Sequence, residues 1–287
     1  MSADAFDFRW VDDGLGRLGL ALDVDPRDLP SALRGAAPTV TRLMRGTLAM
    51  IDDAPLWASA TKRASAPSGA WEASVGRLDG GPAVYERTVL RATGRLDRAG
   101  FAKFAIDDAM LDVAHAWDET FVEGAFTHVL TRDGRSGRIG DVPFAGLAVG
   151  DVAKVMRWIF AVPGMARREL VSVYVPHDDA RASTCCYFPV RGPSVPAPVR
   201  AVRARLRVPC LDRALFDGAR CTAMEHFASA DLGGWMPSAF TRSGLYARAF
   251  LSAAKVEADH LEALFSGAGR EGEAFARIAR RDGTRVT

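Results

Sequence analysis

The residues able to carry chemistry are few and scattered. Gly14-Leu15-Gly16-Arg17-Leu18-Gly19 spells G-x-G-x-x-G, a loop that cradles a pyrophosphate when it follows a buried strand and opens a helix. Asp12 and Asp13 precede it and would repel a phosphate, and no βαβ unit follows. The run therefore reads as an N-terminal turn. The five histidines, His115, His128, His177, His226 and His260, include no pair at metal-ligand spacing on one element. Asp107-Asp108 and Asp178-Asp179 are adjacent acids. Adjacency suits turns and helix caps, whereas acid–base catalysis needs carboxyls facing each other across a site. The sequence has no G-x-S-x-G, no P-loop and no H-E-x-x-H. Its four cysteines are Cys185, Cys186, Cys210 and Cys221, with no C-x-x-C. On a strand, Cys185 and Cys186 would point to opposite faces and could not easily share a ligand or a bridge. All four read as reduced, mostly buried thiols. No catalytic residue, metal or cofactor is expected from these motifs.

The chain around these residues is large enough to form a substantial fold. It has 287 residues, 48% hydrophobic and 25% charged, which suits a soluble globular protein of one large or two small domains. A domain of that size buries roughly three quarters of its unfolded surface and has room for an interior cavity. Lys+Arg number 37 and Asp+Glu 35, giving a net charge of +2, which argues against nucleic-acid binding. No run approaches the roughly 18 apolar residues that cross a bilayer. The start, MSADAFDFRWVDD, is acidic and lacks an apolar segment, so a cytoplasmic location is expected.

Apolar spacing predicts a helix over residues 31–51, with Leu33, Val40, Leu43, Met44, Thr47 and Leu48 on one side and Pro55 beyond its end. Strands are expected over 71–77 and 83–93, joined by the turn Asp79-Gly80-Gly81-Pro82. Further strands are expected over 121–131, 152–160, 169–175, 182–190, 198–208 and 221–232. A helix is expected over 97–108, a Gly-rich loop over 134–150, and a long helix over 237–265. Helices framing a run of strands indicate an α+β fold rather than alternating βαβ units. Within 202–208, Val202, Ala204, Leu206 and Val208 alternate with Arg203, Arg205 and Arg207, so the arginines are expected on a solvated face.

Four segments, in order, resemble the START (StAR-related lipid-transfer) domain family of the helix-grip, Bet v 1-like superfamily. Trp117-Asp118 is similar to its central W-D. Arg168-Glu169-Leu170-Val171-Ser172-Val173 is similar to its R-D-F-V-S-V strand. Val202-Arg203-Ala204 is similar to its V-R-A strand, and Asp231-Leu232-Gly233-Gly234-Trp235-Met236-Pro237 to its D-x-x-G-W-x-P. Val199-Arg200-Ala201 also reads V-R-A. The second copy is preferred because its alternation continues.

The resemblance implies a helix-grip fold: a curved antiparallel β-sheet wrapped around a long C-terminal helix, with an internal hydrophobic tunnel. The implied layout is an extension over 1–30, the lipid-binding domain over 31–265 and an Arg-rich tail over 266–287. Each buried methylene of a ligand would contribute about 0.8 kcal/mol in such a tunnel. By family register and strand parity the lining would be Val155, Arg157, Ser172, Tyr174, Tyr187, Val202, Ala204 and Leu206, with Phe240, Leu245 and Leu251 from the last helix. The loop bearing Val162, Pro163 and Met165, followed by Arg167 and Arg168, would touch a membrane. Sterol-binding members carry a buried acid and an arginine where this chain has Val155 and Tyr174, so a copy of that sterol site is not expected. Arg157 and Tyr174 become candidates for a phosphate or hydroxyl head group. The implied partners are one lipid (phospholipid, sterol or other) and a transient membrane surface, with no chemical step. The competing expectations are an enzyme of the same fold, using Asp118, His226 and Arg157 inside the tunnel, or a lipid sensor.

Overall fold

The computed structural model describes residues 7–35, 37–52, 62–65, 67, 69–77, 84–91, 101, 111, 114, 115, 118, 120–144, 146–161, 164–195, 198, 200–233 and 255. Apart from Lys255, the expected helix over 237–265, with Phe240, Leu245 and Leu251, lies outside them, as do Val162, Pro163 and most of 97–108.

Among the described residues, two α-helices flank the short first strand and precede the rest of the sheet. Helix α1 (Arg9–Arg17) buries Val11, Gly14 and Leu15, the spacing of one helical face. The G-x-G-x-x-G run is therefore largely helical and not a free turn. Asp12 has a structural use, since its carboxylate accepts the backbone N–H of Val40 at 3.1 Å and caps the next helix. Helix α2 (Val40–Ile51) also uses Thr39, whose hydroxyl accepts from Arg42 N, and it buries Val40, Leu43, Met44, Thr47, Met50 and Ile51. Residues 31–33 form a separate 3₁₀ turn, so the single helix expected over 31–51 begins at 40.

The strands are β1 (Ala21–Leu22), β2 (Lys62–Ser65), β3 (Trp71–Arg77), β4 (Val84–Leu90), β5 (Phe121–Thr131), β6 (Ser136–Arg138) and β7 (Val152–Phe160). They continue with β8 (Arg168–Asp178), β9 (Ala182–Arg191), β10 (Val202–Arg203), β11 (Arg205–Leu206), β12 (Leu211–Asp217), β13 (Arg220–Ala228) and β14 (Ala230–Asp231). Among the described residues the main sheet has twelve strands in the order β2-β3-β4-β13-β12-β9-β8-β7-β5-β6, with β1 paired to β9 and β10 to β8. Every pairing along that path is antiparallel, and β10 joins β8 in parallel.

Strand β12 escapes a sequence reading because Arg213 points into the protein. It is buried against Glu225 at 2.6 Å and Asp52 at 2.6 Å, so charge breaks the apolar alternation. The expected strand 198–208 is broken into β10 and β11. Its arginines are not a solvated face. Arg203 meets Glu169 at 2.7 Å, while Arg205 and Arg207 meet Asp28 at 2.8 and 3.3 Å. The N-terminal segment thus supplies an acid that the local pattern could not show. The main core joins Phe8, Val11 and Leu15 around α1 to Leu43 and Met44 of α2 and to the sheet. No packing break falls at residue 30.

Candidate functional site

Strand alternation divides the sheet into two faces with different contents. The first face carries the main core. Val155 of β7, Val171, Val173 and Val175 of β8, Cys186, Phe188 and Val190 of β9, Leu211 and Phe227 all join the core with α1 and α2. The second face carries the residues in between. Lys154, Met156 and Trp158 come from β7, Ser172 and Tyr174 from β8, and Cys185 and Tyr187 from β9. Asp212, His226, Thr88 and Glu86 continue it across β12, β13 and β4. Cys185 and Cys186 lie on opposite faces, both fully buried, and burial raises both thiols above their ordinary range.

One half of the second face is aromatic. Tyr174 and Tyr187 are cross-strand partners with ring centres 4.4 Å apart, and Phe126 stands edge-on to Tyr174 at 6.0 Å. Trp158 meets Phe121 at 4.4 Å. Lys154, directly opposite Tyr174 in the ladder, places its ammonium 4.8 and 5.0 Å from the ring centres of Phe126 and Phe144. Burial pushes the Tyr174 phenol well above its ordinary value, so it stays neutral and able to donate.

The other half is polar. In one row across the strands, Cys185 faces Asp212, Asp212 faces His226, and His226 faces Thr88. Asp212 Oδ1 lies 2.6 Å from His226 Nδ1, and Glu86 Oε1 lies 3.5 Å from His226 Nε2. The Thr88 and Ser172 hydroxyls are buried without a hydrogen-bond partner. The side chains of Asp212 and His226 retain 14% and 17% of their exposure, while their neighbours Leu211 and Phe227 on the first face retain 0%. Asp212 and His226 thus keep partial access at the middle of a broad sheet, on the same face as Tyr174 and Tyr187.

The structure divides the lining set read from the sequence. Ser172, Tyr174 and Tyr187 share the second face. Val155 and Arg157 stand on the first, opposite His128 and Ala125 in the β5 ladder. Val155 is core, and Arg157 is bound by Glu169 and by Glu123 at 2.9 Å, so it is committed to acids rather than free for a head group. The parity assumed for β7 was one residue out of step. Ala204 is buried, and Val202 and Leu206 are half-buried. Ala204 borders an open cleft of about 180 Å³ shared with Asp23, Val171, Arg191 and Arg203, away from the aromatic rings. Arg157 and His226 lie on opposite faces, and therefore they do not meet as an acid–base pair. In the expected membrane loop, Met165 is half-buried and Arg167 exposed. Arg168 is buried and donates to the Ala166 carbonyl at 2.5 Å, which withdraws its charge from the surface.

The sequence reading missed Lys154, Asp212, Glu86 and Thr88. Lys154 left one signal, a cation set with Arg157 in the otherwise apolar run Val152–Phe160. Among the described residues, no cluster of three or more His, Cys, Asp or Glu is placed to hold a metal ion. Among them, too, no helix is long and apolar enough to cross a membrane.

The main sheet is broad and, along its path, antiparallel, with the main core on one face and rings and polar groups on the other. No family model and no curated protein matches the sequence. Solved structures do. Human StAR-related lipid transfer protein 5 is similar at a TM-score of 0.54 and 14% identity, over 79% of this chain and 98% of its own. Human STARD10 is similar at a TM-score of 0.50 and 12% identity, over 80% of this chain and 84% of its own. The fold is that of START domains, as the four sequence segments implied.

Proposed function

We propose that the chain binds a single lipid against the second face of its sheet and exchanges it with membranes from the cytoplasm, without a covalent step. The observation that carries this reading is the partial access retained by Asp212 and His226 at the sheet centre, on the face that also presents Tyr174 and Tyr187. A hydrocarbon would lie along Met156, Trp158 and Phe126, where each methylene buried contributes about 0.8 kcal/mol. Tyr174, Tyr187 and Ser172 would contact it. The START architecture supports the reading, since the similar human protein is named as a lipid-transfer protein.

The test is native mass spectrometry of the purified chain, followed by organic extraction and vesicle exchange. One stoichiometric lipid that exchanges with vesicles is expected. A chain that stays empty after incubation with mixed vesicles overturns the proposal.

A further inference from the structure

From the row of Glu86, Thr88, His226 and Asp212, we infer that the bound lipid has an uncharged head that donates a hydrogen bond, an alcohol or an amide, and that anionic heads are rejected. This inference rests on the lipid-binding reading and names its ligand class. Two carboxyl groups flank one imidazole: Asp212 at 2.6 Å from Nδ1 and Glu86 at 3.5 Å from Nε2. With both acids ionised, the formal charge of the three groups is negative whether or not the ring is protonated. A phosphate or carboxylate brought beside them would be repelled in a setting of low dielectric. A hydroxyl or amide N–H would find two acceptors.

Thr88 is an independent sign that a polar ligand belongs there. Its side chain shares the face of His226, directly across the ladder, and two residues along β4 from Glu86. It is 0% exposed, and its hydroxyl has no hydrogen-bond partner. A buried hydroxyl left unpaired destabilises a protein, and a ligand alcohol or amide beside Asp212 and Glu86 would supply its missing partner. Among the described cations on the same face, Lys154 is engaged by the Phe126 and Phe144 rings on the far side of Tyr174, Arg168 donates to the Ala166 carbonyl at the start of β8, and Lys62 lies on β2 at the sheet edge.

The experiment uses the full chain and matched lipids that differ only in the head. Phosphatidylcholine vesicles are doped with dioleoylglycerol or dioleoyl phosphatidate, and in a second pair with oleyl alcohol or oleate. In each pair the uncharged member is expected to bind at least about tenfold more tightly. Equal or stronger binding of the anionic member overturns the inference and leaves the lipid-binding reading standing. Binding of neither member of either pair, with no lipid carried from purification, removes both. Two variants locate the selectivity. Glu86→Gln with Asp212→Asn should bring each ratio to within about twofold of one. Thr88→Val, which replaces an unpaired hydroxyl by a methyl of similar size, should lower alcohol affinity about fivefold while leaving the melting temperature of the lipid-free chain unchanged or higher. A Thr88→Val chain that melts lower and binds alcohols normally would make Thr88 merely structural and overturn its role.

Discussion

Arg203 reaches the carboxylate of Glu169 at 2.7 Å from a strand that joins β8 in parallel, in a sheet otherwise antiparallel. Glu169 is 1% exposed and is also held by Arg157 of β7, whereas both arginine side chains keep about a third of their surface in water, 29% and 32%. The pair thus ties β10, β8 and β7 through one buried acid. Removing one side of such an interaction is not equivalent to removing the other. Arg157→Ala with Arg203→Ala leaves the acid buried and unpaired, and should cost about 3–5 kcal/mol. Glu169→Gln leaves two guanidinia that water can reach, and should cost about 1–2 kcal/mol. Urea unfolding of both variants checks the order, and a larger loss in Glu169→Gln would refute this account.

Gly233 adopts φ +66°, and a Cβ there would lie 2.2 Å from the Arg203 carbonyl oxygen. Both the left-handed backbone and the approach of another strand require glycine. Gly233→Ala should cost about 2–3 kcal/mol, read as a lowered melting temperature. Gly16→Ala, where a Cβ meets nothing within 4 Å, is the matched control and should be neutral or stabilising.

Burial lowers the pKa of His177, which sits on β8 with the ring of Phe8 edge-on at 6.1 Å. The folded chain holds this ring neutral, while the unfolded chain takes a proton near the ordinary imidazole value of about 6.5. Stability from this group is therefore complete above that value and declines as pH falls from it toward the folded pKa. His128 is lowered by burial as well. Thermal unfolding between pH about 7.5 and about 5 should show the decline. His177→Gln should flatten it, and an unchanged slope in that variant would remove His177 as its source.

Leu15 of α1 is 2% exposed in the main core. Leu15→Ala should cost about 2–5 kcal/mol, as for a central core leucine. Removal of residues 1–18 should lower the melting temperature further rather than leave the sheet intact. An unaffected truncation would restore the N-terminal segment to the status of an appendage.

Much of the sheet was legible because its longer strands are short apolar runs bounded by turn residues. Strands β3, β5 and β7 have the bounds that the pattern predicts. Strand β12 was hidden because Arg213 answers to Glu225 and Asp52, one on the next strand and one at the end of α2. Helix α1 was hidden by its glycines and acids, whose reasons lie in the close approach of Leu130 to Gly14 and in the cap that Asp12 gives Val40. The polar row across β12, β13 and β4 was not legible for a related reason. Asp212, His226 and Thr88 are far apart in sequence and become neighbours only through pairing register. The β7 lining erred by one position, and one position on a strand exchanges faces.

The two faces are written in alternate letters of the same strands. On β8 the odd positions Val171, Val173 and Val175 join the main core, and the even positions Ser172 and Tyr174 belong to the aromatic and polar face. Substitutions of the second kind leave the first untouched, so descendants of this chain can re-tailor that face one even-numbered residue at a time while inheriting the same architecture.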